Sequence, residues 1–324
     1  MKKILTYIGF LGIAAFATYK AFDGVPMDEL WVLIKESSKF YVIFAMILGY
    51  LAIVSRGVRW IILLEPLGHK PKLWNSIHAV ALAYLSNILV PRSGEIARCG
   101  ALNQTDNIPM DELIGTVISE RVVDFVMLFT FLAVAIITNT DAFSNMYQNW
   151  IDGSSGESSN LPYIILSVIL VGLFFLIIFW KRIRNTKIFI KVMDFLKGVG
   201  KGLKSVMKME KKWTFIFHTL FIWLMYYLMA YVVFYSMEST SGISIFQAMF
   251  VMVAGGFGMV LPAPGGMGTY QYAVMLGFLA LGLSQVDGLA YGWLEWIAQT
   301  VMMLISGGIG FFMIGRAKMN KSKA

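Results

Sequence analysis

Arg92, Glu95 and Arg98 stand within seven residues of one another, and Glu120, Arg121 and Asp124 within five. Each set interrupts a stretch that is otherwise apolar. Together they supply three acids and three bases. On a helix Glu120 and Asp124, four apart, share a face, and Arg121 lies three before Asp124. These residue types can hold a phosphate in a guanidinium fork, neutralise one another, or carry a proton. The alternative is a mutually neutralised network that only fixes one helix against another. Covalent chemistry has little support. His69, His78 and His218 are scattered without metal-ligand spacing, and the single cysteine, Cys99, excludes a disulfide framework and a thiolate metal site.

The elements around these residues are those of a membrane protein. Hydrophobic residues make up 58% of the 324, and charged residues only 14%, against about 25% charged in a soluble domain. No hydrophilic stretch is long enough for a separate domain, so residues 1–324 read as one transmembrane unit. Six apolar runs, roughly 4–22, 40–64, 113–138, 161–180, 213–236 and 289–314, approach or exceed the roughly 20 residues needed to cross hydrocarbon. The first resembles a signal peptide in its leading Lys2 and Lys3. Its length and the lack of a clear A-x-A site instead predict a retained span.

Two further apolar regions are broken by turn residues. Region 74–104 contains Pro91-Arg92-Ser93-Gly94-Glu95, and region 245–283 contains Pro262-Ala263-Pro264-Gly265-Gly266. Such breaks are tolerated at membrane depth where the freed backbone lines a protein-enclosed or watery cavity. Lysine and arginine crowd 181–212 and the tail, whereas 139–160 has none and carries Asp141, Asp152 and Glu157. By the positive-inside rule, 181–212 and both termini face the cytoplasm and 139–160 faces out. Threading the chain through these constraints makes each broken region enter and leave on one side. The expectation is an all-α polytopic protein with six full spans and two oppositely oriented re-entrant hairpins. These form an inverted repeat with halves at about 1–138 and 161–314, an architecture used by many transporters.

The expected headgroup site follows from that layout. It comprises Arg92, Ser93, Gly94, Glu95 and Arg98 at the first tip and Glu120, Arg121 and Asp124 in the third span. The uncharged second tip adds Pro262, Pro264, Gly265 and Gly266. Two half-helix starts with free N–H groups at the midplane would attract an anion. The alternative is that the glycines serve only close packing. Arg56 and Arg59, near the cytoplasmic end of the second span, are expected to snorkel or to act as topogenic charges. Glu295 is roughly the second-half counterpart of Glu120 and reads as a proton or headgroup contact, or as an interfacial residue. Segment 187–212 alternates lysine with apolar residues, as a basic amphipathic helix on anionic lipid or a solvated loop.

Three strings carry a family resemblance: Asn87-Ile88-Leu89-Val90-Pro91-Arg92-Ser93-Gly94-Glu95-Ile96-Ala97-Arg98, Ser119-Glu120-Arg121-Val122-Val123-Asp124 and Leu261-Pro262-Ala263-Pro264-Gly265-Gly266-Met267-Gly268-Thr269. In this order they resemble the flippase-like transmembrane domain of the lysylphosphatidylglycerol synthases, a family that includes stand-alone proteins. The resemblance covers nearly the whole chain. It implies movement of a lipid or lipid-linked sugar between leaflets. In full-length synthases a separate soluble domain transfers lysine from tRNA to the lipid. This chain stops at Ala324, so that activity is expected to be absent.

The leading expectation is therefore a carrier of a phospholipid or polyprenyl-phosphate-type lipid in a bacterial cytoplasmic membrane. It would be neither an enzyme nor a nucleic-acid binder, and would need no cofactor; a homo-oligomer is compatible with the sequence. Arg92 and the tip amides would hold the phosphate, while Glu95, Glu120 and Asp124 neutralise, gate or carry a coupling proton. No nucleotide-binding motif is present, so ATP is no direct driver unless a partner supplies it. Other classes remain: an intramembrane lipid-modifying enzyme using Glu95 or Glu120 as acid and base, a non-catalytic partner of an envelope-building complex, or a small-solute transporter.

Overall fold

A computed structural model describes residues 2–141, 209–261 and 263–321. Every regular element among them is a helix. The first part of the chain gives α1 (Lys2–Phe22), α2 (Met27–Glu36), α3 (Lys39–Leu64), α4 (Leu73–Leu89), α5 (Gly94–Asp106) and α6 (Met110–Thr138). The later part gives α7 (Lys212–Phe234), α8 (Ile245–Val260), α9 (Thr269–Ala280) and α10 (Gln285–Lys321). The expected span 161–180 and nearly all of the basic segment 181–212 lie outside the described residues.

Among the described helices, α3 with its short continuation to Leu67, α6, α7 and α10 are long and apolar enough to cross a membrane. Their outer faces are greasy: Phe312 is 75% exposed, Ile137 73% and Trp213 72%. A water-soluble molecule rarely shows so much contiguous apolar surface, whereas hydrocarbon accepts it. Between α1 and α3, α2 is a short amphipathic helix that buries Leu30 and exposes Trp31, as an interfacial helix should.

Both broken regions fold as antiparallel helical hairpins. Proline and left-handed residues end one leg and glycine starts the next. At the first tip α4 stops before Pro91, because the residue preceding proline is pushed out of the helical region. The chain then turns through Arg92 at φ 66°. At the second, Gly265, Gly266 and Gly268 take φ of 56°, 70° and 78°, values that L side chains rarely adopt. The far ends of α4 and α5 meet as well, where Asp106 accepts from the Lys72 amide at 3.1 Å and from Asn75 at 2.9 Å. At 1.5 Å per residue the 13-residue α5 and 12-residue α9 are only about 20 Å long, short of the roughly 30 Å of hydrocarbon.

Helix lengths recur through the two parts. The first part runs 26, 17, 13 and 29 residues over α3 to α6, and the second 23, 16, 12 and 37 over α7 to α10. The core forms two main clusters. One joins α1, α2, α3 and α7 to α10, and the other joins α3, α4, α5, α6 and α10. Both α3 and α10 belong to both clusters and so connect the two hairpins.

Gly94 sets the separation of the first hairpin's legs, since a Cβ there would run into the Ala83 carbonyl oxygen. Gly94→Ala is therefore expected to destabilise the protein by about 1–3 kcal/mol. Gly100→Ala, in the same helix but facing open space, is expected to be neutral or to stabilise by up to about 1 kcal/mol. Chemical unfolding in detergent, followed by circular dichroism, separates the two.

Candidate functional site

Helices α3, α5 and α6 bring a knot of charge into the interior. Glu120 on α6 is fully buried and Asp124, one turn on, is 8% exposed. Their partners are Arg56 and Arg59 on α3 and Arg98 on α5, each no more than 4% exposed. Glu120 Oε1 accepts from Arg56 at 2.9 Å and lies 3.2 Å from Arg59, and its Oε2 accepts from Arg98 at 3.1 Å. Asp124 Oδ1 accepts from Arg59 at 2.9 Å and Oδ2 from Arg56 at 3.0 Å. Arg59 also donates to Thr219 on α7 at 3.1 Å. The knot therefore ties together four helices.

Here the structure corrects an expectation. Arg56 and Arg59 do not snorkel to the interface. They point inward, because Glu120 and Asp124 could not stay ionised in an apolar interior without counter-charges. Aromatic rings cover the guanidinium faces: Trp60 lies 4.7 Å from Arg98 and Phe215 5.6 Å from Arg59. Such stacking is favourable where water is excluded.

Towards the surface the knot continues through a looser pair. Arg121 donates to Glu95 at 3.0 Å, and both side chains are partly exposed. Four guanidinium groups (Arg56, Arg59, Arg98, Arg121) thus face three carboxylates (Glu95, Glu120, Asp124), a surplus of one positive charge. Arg98 also has an Nη2 and an Nε with no hydrogen-bond partner among the described residues.

The two hairpin tips meet. Between them is a cavity of about 370 Å³, lined at the first tip by Asn87, Arg92 and Glu95 and at the second by Leu261, Gly265 and Gly266. Gln299 and Thr300 of α10 complete it. A narrow cleft lined by Arg56, Arg98 and Arg121 adjoins this cavity, sharing Tyr84, Asn87 and Glu95 with it. Arg92 is exposed and makes no ion pair among the described residues. Trp296 on α10 donates to the Gly265 carbonyl at 2.8 Å and anchors the second tip.

The tip amides are less available than the sequence implies. Gly94 N–H donates to Asn87 Oδ1 at 2.7 Å, while Ser93 Oγ donates to the Ser86 and Val90 carbonyls. At the second tip Gly266 N–H donates to Ala263, Met267 N–H to Pro264, and Gly268 N–H to Gln271 Oε1. Asn87 and Gln271 thus each occupy one amide at the helix starts that the sequence left open. Pro262 lies outside the described residues; Pro264 is half-buried in the turn. Among the described residues no three His, Cys, Asp or Glu side chains converge as metal ligands.

A sequence profile of the lysylphosphatidylglycerol synthase TM region matches residues 7–307. The chain belongs to this family. A UPF0104 membrane protein of Methanocaldococcus jannaschii is 23% identical over 337 residues, covering 97% of this chain and 95% of that protein. No solved structure matches. Within this family member, the arginine–carboxylate knot and the cavity between the tips are where buried charge and open space adjoin.

Removing one partner of a buried charge network leaves the rest uncompensated. Glu120→Gln is expected to cost about 3–5 kcal/mol. Glu95→Gln, in a half-exposed pair, is expected to cost at most about 1 kcal/mol. Equal losses on denaturation in detergent would show that buried charge does not hold the knot.

Proposed function

We propose that this protein carries the phosphate-bearing headgroup of a lipid across the membrane through the cavity between the two hairpin tips. The observation that carries the reading is the cavity itself: both tips line it, Arg92 is free to reach a ligand, and the adjoining cluster holds one guanidinium in excess. Its volume of about 370 Å³ suits a headgroup rather than a whole lipid, since ligand pockets span about 300–1,000 Å³. The cargo is a phospholipid or a polyprenyl phosphate, whose chains stay in hydrocarbon.

A second feature favours lipid over a small solute. An apolar groove of about 440 Å³ runs between α3, α4 and α10, lined by residues such as Ile47, Ile77 and Ile305. Ile47 and Ile305 are more than half exposed, so the groove opens on the lipid-facing surface. Headgroup cavity and groove share the same two helices, with Tyr84 and Met303 in one and Ala81 and Met302 in the other.

In this reading the two hairpins are re-entrant and enter from opposite sides, as halves of an inverted repeat. The short α5 and α9 and the recurring helix lengths support that arrangement. Both termini face the cytoplasm of a bacterial cell, and the lysines of 181–212 meet anionic lipid. The role of Glu120 and Asp124 is to clamp. All four of their carboxylate oxygens are occupied by arginines, so neither serves as a proton carrier. The protein acts as a carrier and not as an enzyme.

Proteoliposomes holding phosphatidylglycerol or a polyprenyl phosphate, each with a chain-attached fluorophore, test this. A membrane-impermeant reductant bleaches only outward-facing probe. Wild-type protein is expected to bring inner-leaflet probe within its reach, and Arg92→Ala to abolish that movement while unfolding normally. Undiminished movement in Arg92→Ala would remove the phosphate-holding role.

A further inference from the structure

One buried acid is unlike the others. Glu295 on α10 is 5% exposed, and its Oε2 has no hydrogen-bond partner among the described residues. No ion pair among the described residues includes it. Glu120 and Glu295 each lie ten residues beyond the first residue of their helices, Met110 and Gln285. Equivalent places in the two parts of the chain thus hold a carboxylate gripped by three arginines and a carboxyl gripped by none.

Helix packing places Glu295 behind the second tip. Gly288 of α10 packs on Phe278 of α9, and Gly292 on Gln271. One turn further, Trp296 reaches Gly265. The chains run antiparallel through this register, so Glu295 falls between the contacts to Gln271 and to Gly265. Gln299, one turn beyond on the same face, lines the cavity. Gln271 is itself 1% exposed and has an Nε2 with no partner.

Most titratable groups on the elements packed around α10 are engaged elsewhere or exposed. On α3 and α5, Arg56, Arg59 and Arg98 serve Glu120 and Asp124. On α4, Tyr84 pairs with Tyr226 of α7 at 2.6 Å, and His78 stacks on Trp74. Tyr227 donates to the Ile245 carbonyl, and Tyr291, one turn before Glu295, donates to that of Ala230. Tyr270 of α9 packs on Gly255 of α8, and Tyr272 is half-buried. The charged groups of α2, Asp28, Glu29, Lys35 and Glu36, are exposed.

We infer that Glu295 is a proton-binding site whose loading is coupled to movement of the second hairpin tip. A carboxylate here would be a lone buried charge, which carries a cost of several kcal/mol. In this conformation the carboxyl therefore holds its proton on one oxygen. Release requires water or a cation to reach it, and the removable barrier is the tip tethered by Trp296. Opening the tip wets Glu295 and frees the proton; reprotonation restores the closed packing. One proton is taken up and one released per cycle, with no other bond changed. The proton site stands by itself, while its coupling to a headgroup rests on the lipid reading above.

Two measurements decide it. Infrared difference spectra between acid and alkaline detergent solutions of the whole protein are expected to contain a protonated-carboxyl C=O band that is lost in Glu295→Gln. That variant mimics the neutral acid and should fold normally. No such Glu295-dependent band overturns the proton site. In the proteoliposome assay with chain-labelled phosphatidylglycerol, an imposed pH gradient is expected to change the wild-type rate. The Glu295→Gln rate is expected to be indifferent to it, and a retained gradient response overturns the coupling. If wild type moves no lipid in any gradient, the lipid reading and the coupling fail, and the infrared result alone decides the proton site.

Discussion

A carboxylate held away from water must be matched by positive charge or give up its own. Glu120 has no exposed surface, and the fold around it answers that requirement. Two arginines come from α3, one from α5, and a threonine of α7 fixes one of the arginines in turn. Arg56 and Arg59 are three apart on α3 and so project together towards α6. Arg98 can reach the same carboxylate only because the first hairpin folds back and brings α5 against α6. The hairpin's position and the register of α3 against α6 are therefore one requirement. Apolar packing alone would let neighbouring greasy helices slide; the ion knot fixes their register.

Much of this was legible in the amino-acid sequence. Four of the expected apolar runs, 4–22, 40–64, 113–138 and 213–236, appear as helices with bounds within a few residues, the run 289–314 appears as the longer helix Gln285–Lys321, and Pro91 and the glycines after Ala263 mark the turns as turn chemistry requires. Glu120 and Asp124 were visible as costly charges in an apolar run. The partners of those charges were not. Both Arg56 and Arg59 lie near one end of a helix whose faces are all apolar, and no periodicity says which face is inside. A hint existed in their three-residue spacing, which matches the four-residue spacing of Glu120 and Asp124. The meeting of the two tips was also hidden, because residues 87–95 and 261–266 come together only through tertiary packing. Asn87 and Gln271 look like ordinary polar residues in sequence, and only the folded chain shows them each occupying one amide at the helix starts.

The two parts of the chain repeat a pattern of helices but divide their chemistry unevenly. One hairpin carries Arg92, Glu95 and Arg98, and the other is built of proline and glycine. One long helix places its acid among arginines, and the other buries its acid with no ion pair among the described residues.

The left-handed turn at Arg92 has a consequence of its own. A β-carbon in that region costs roughly 1–2 kcal/mol, and glycine or asparagine would relieve it. The tip therefore carries a side chain poorly suited to its backbone, and that side chain makes no ion pair among the described residues. Stability and charge make opposing demands on residue 92. If Arg92 holds the headgroup as proposed, changes that make the protein hardier there silence it, so engineering for robustness should begin at the hairpin legs and leave the tip strained.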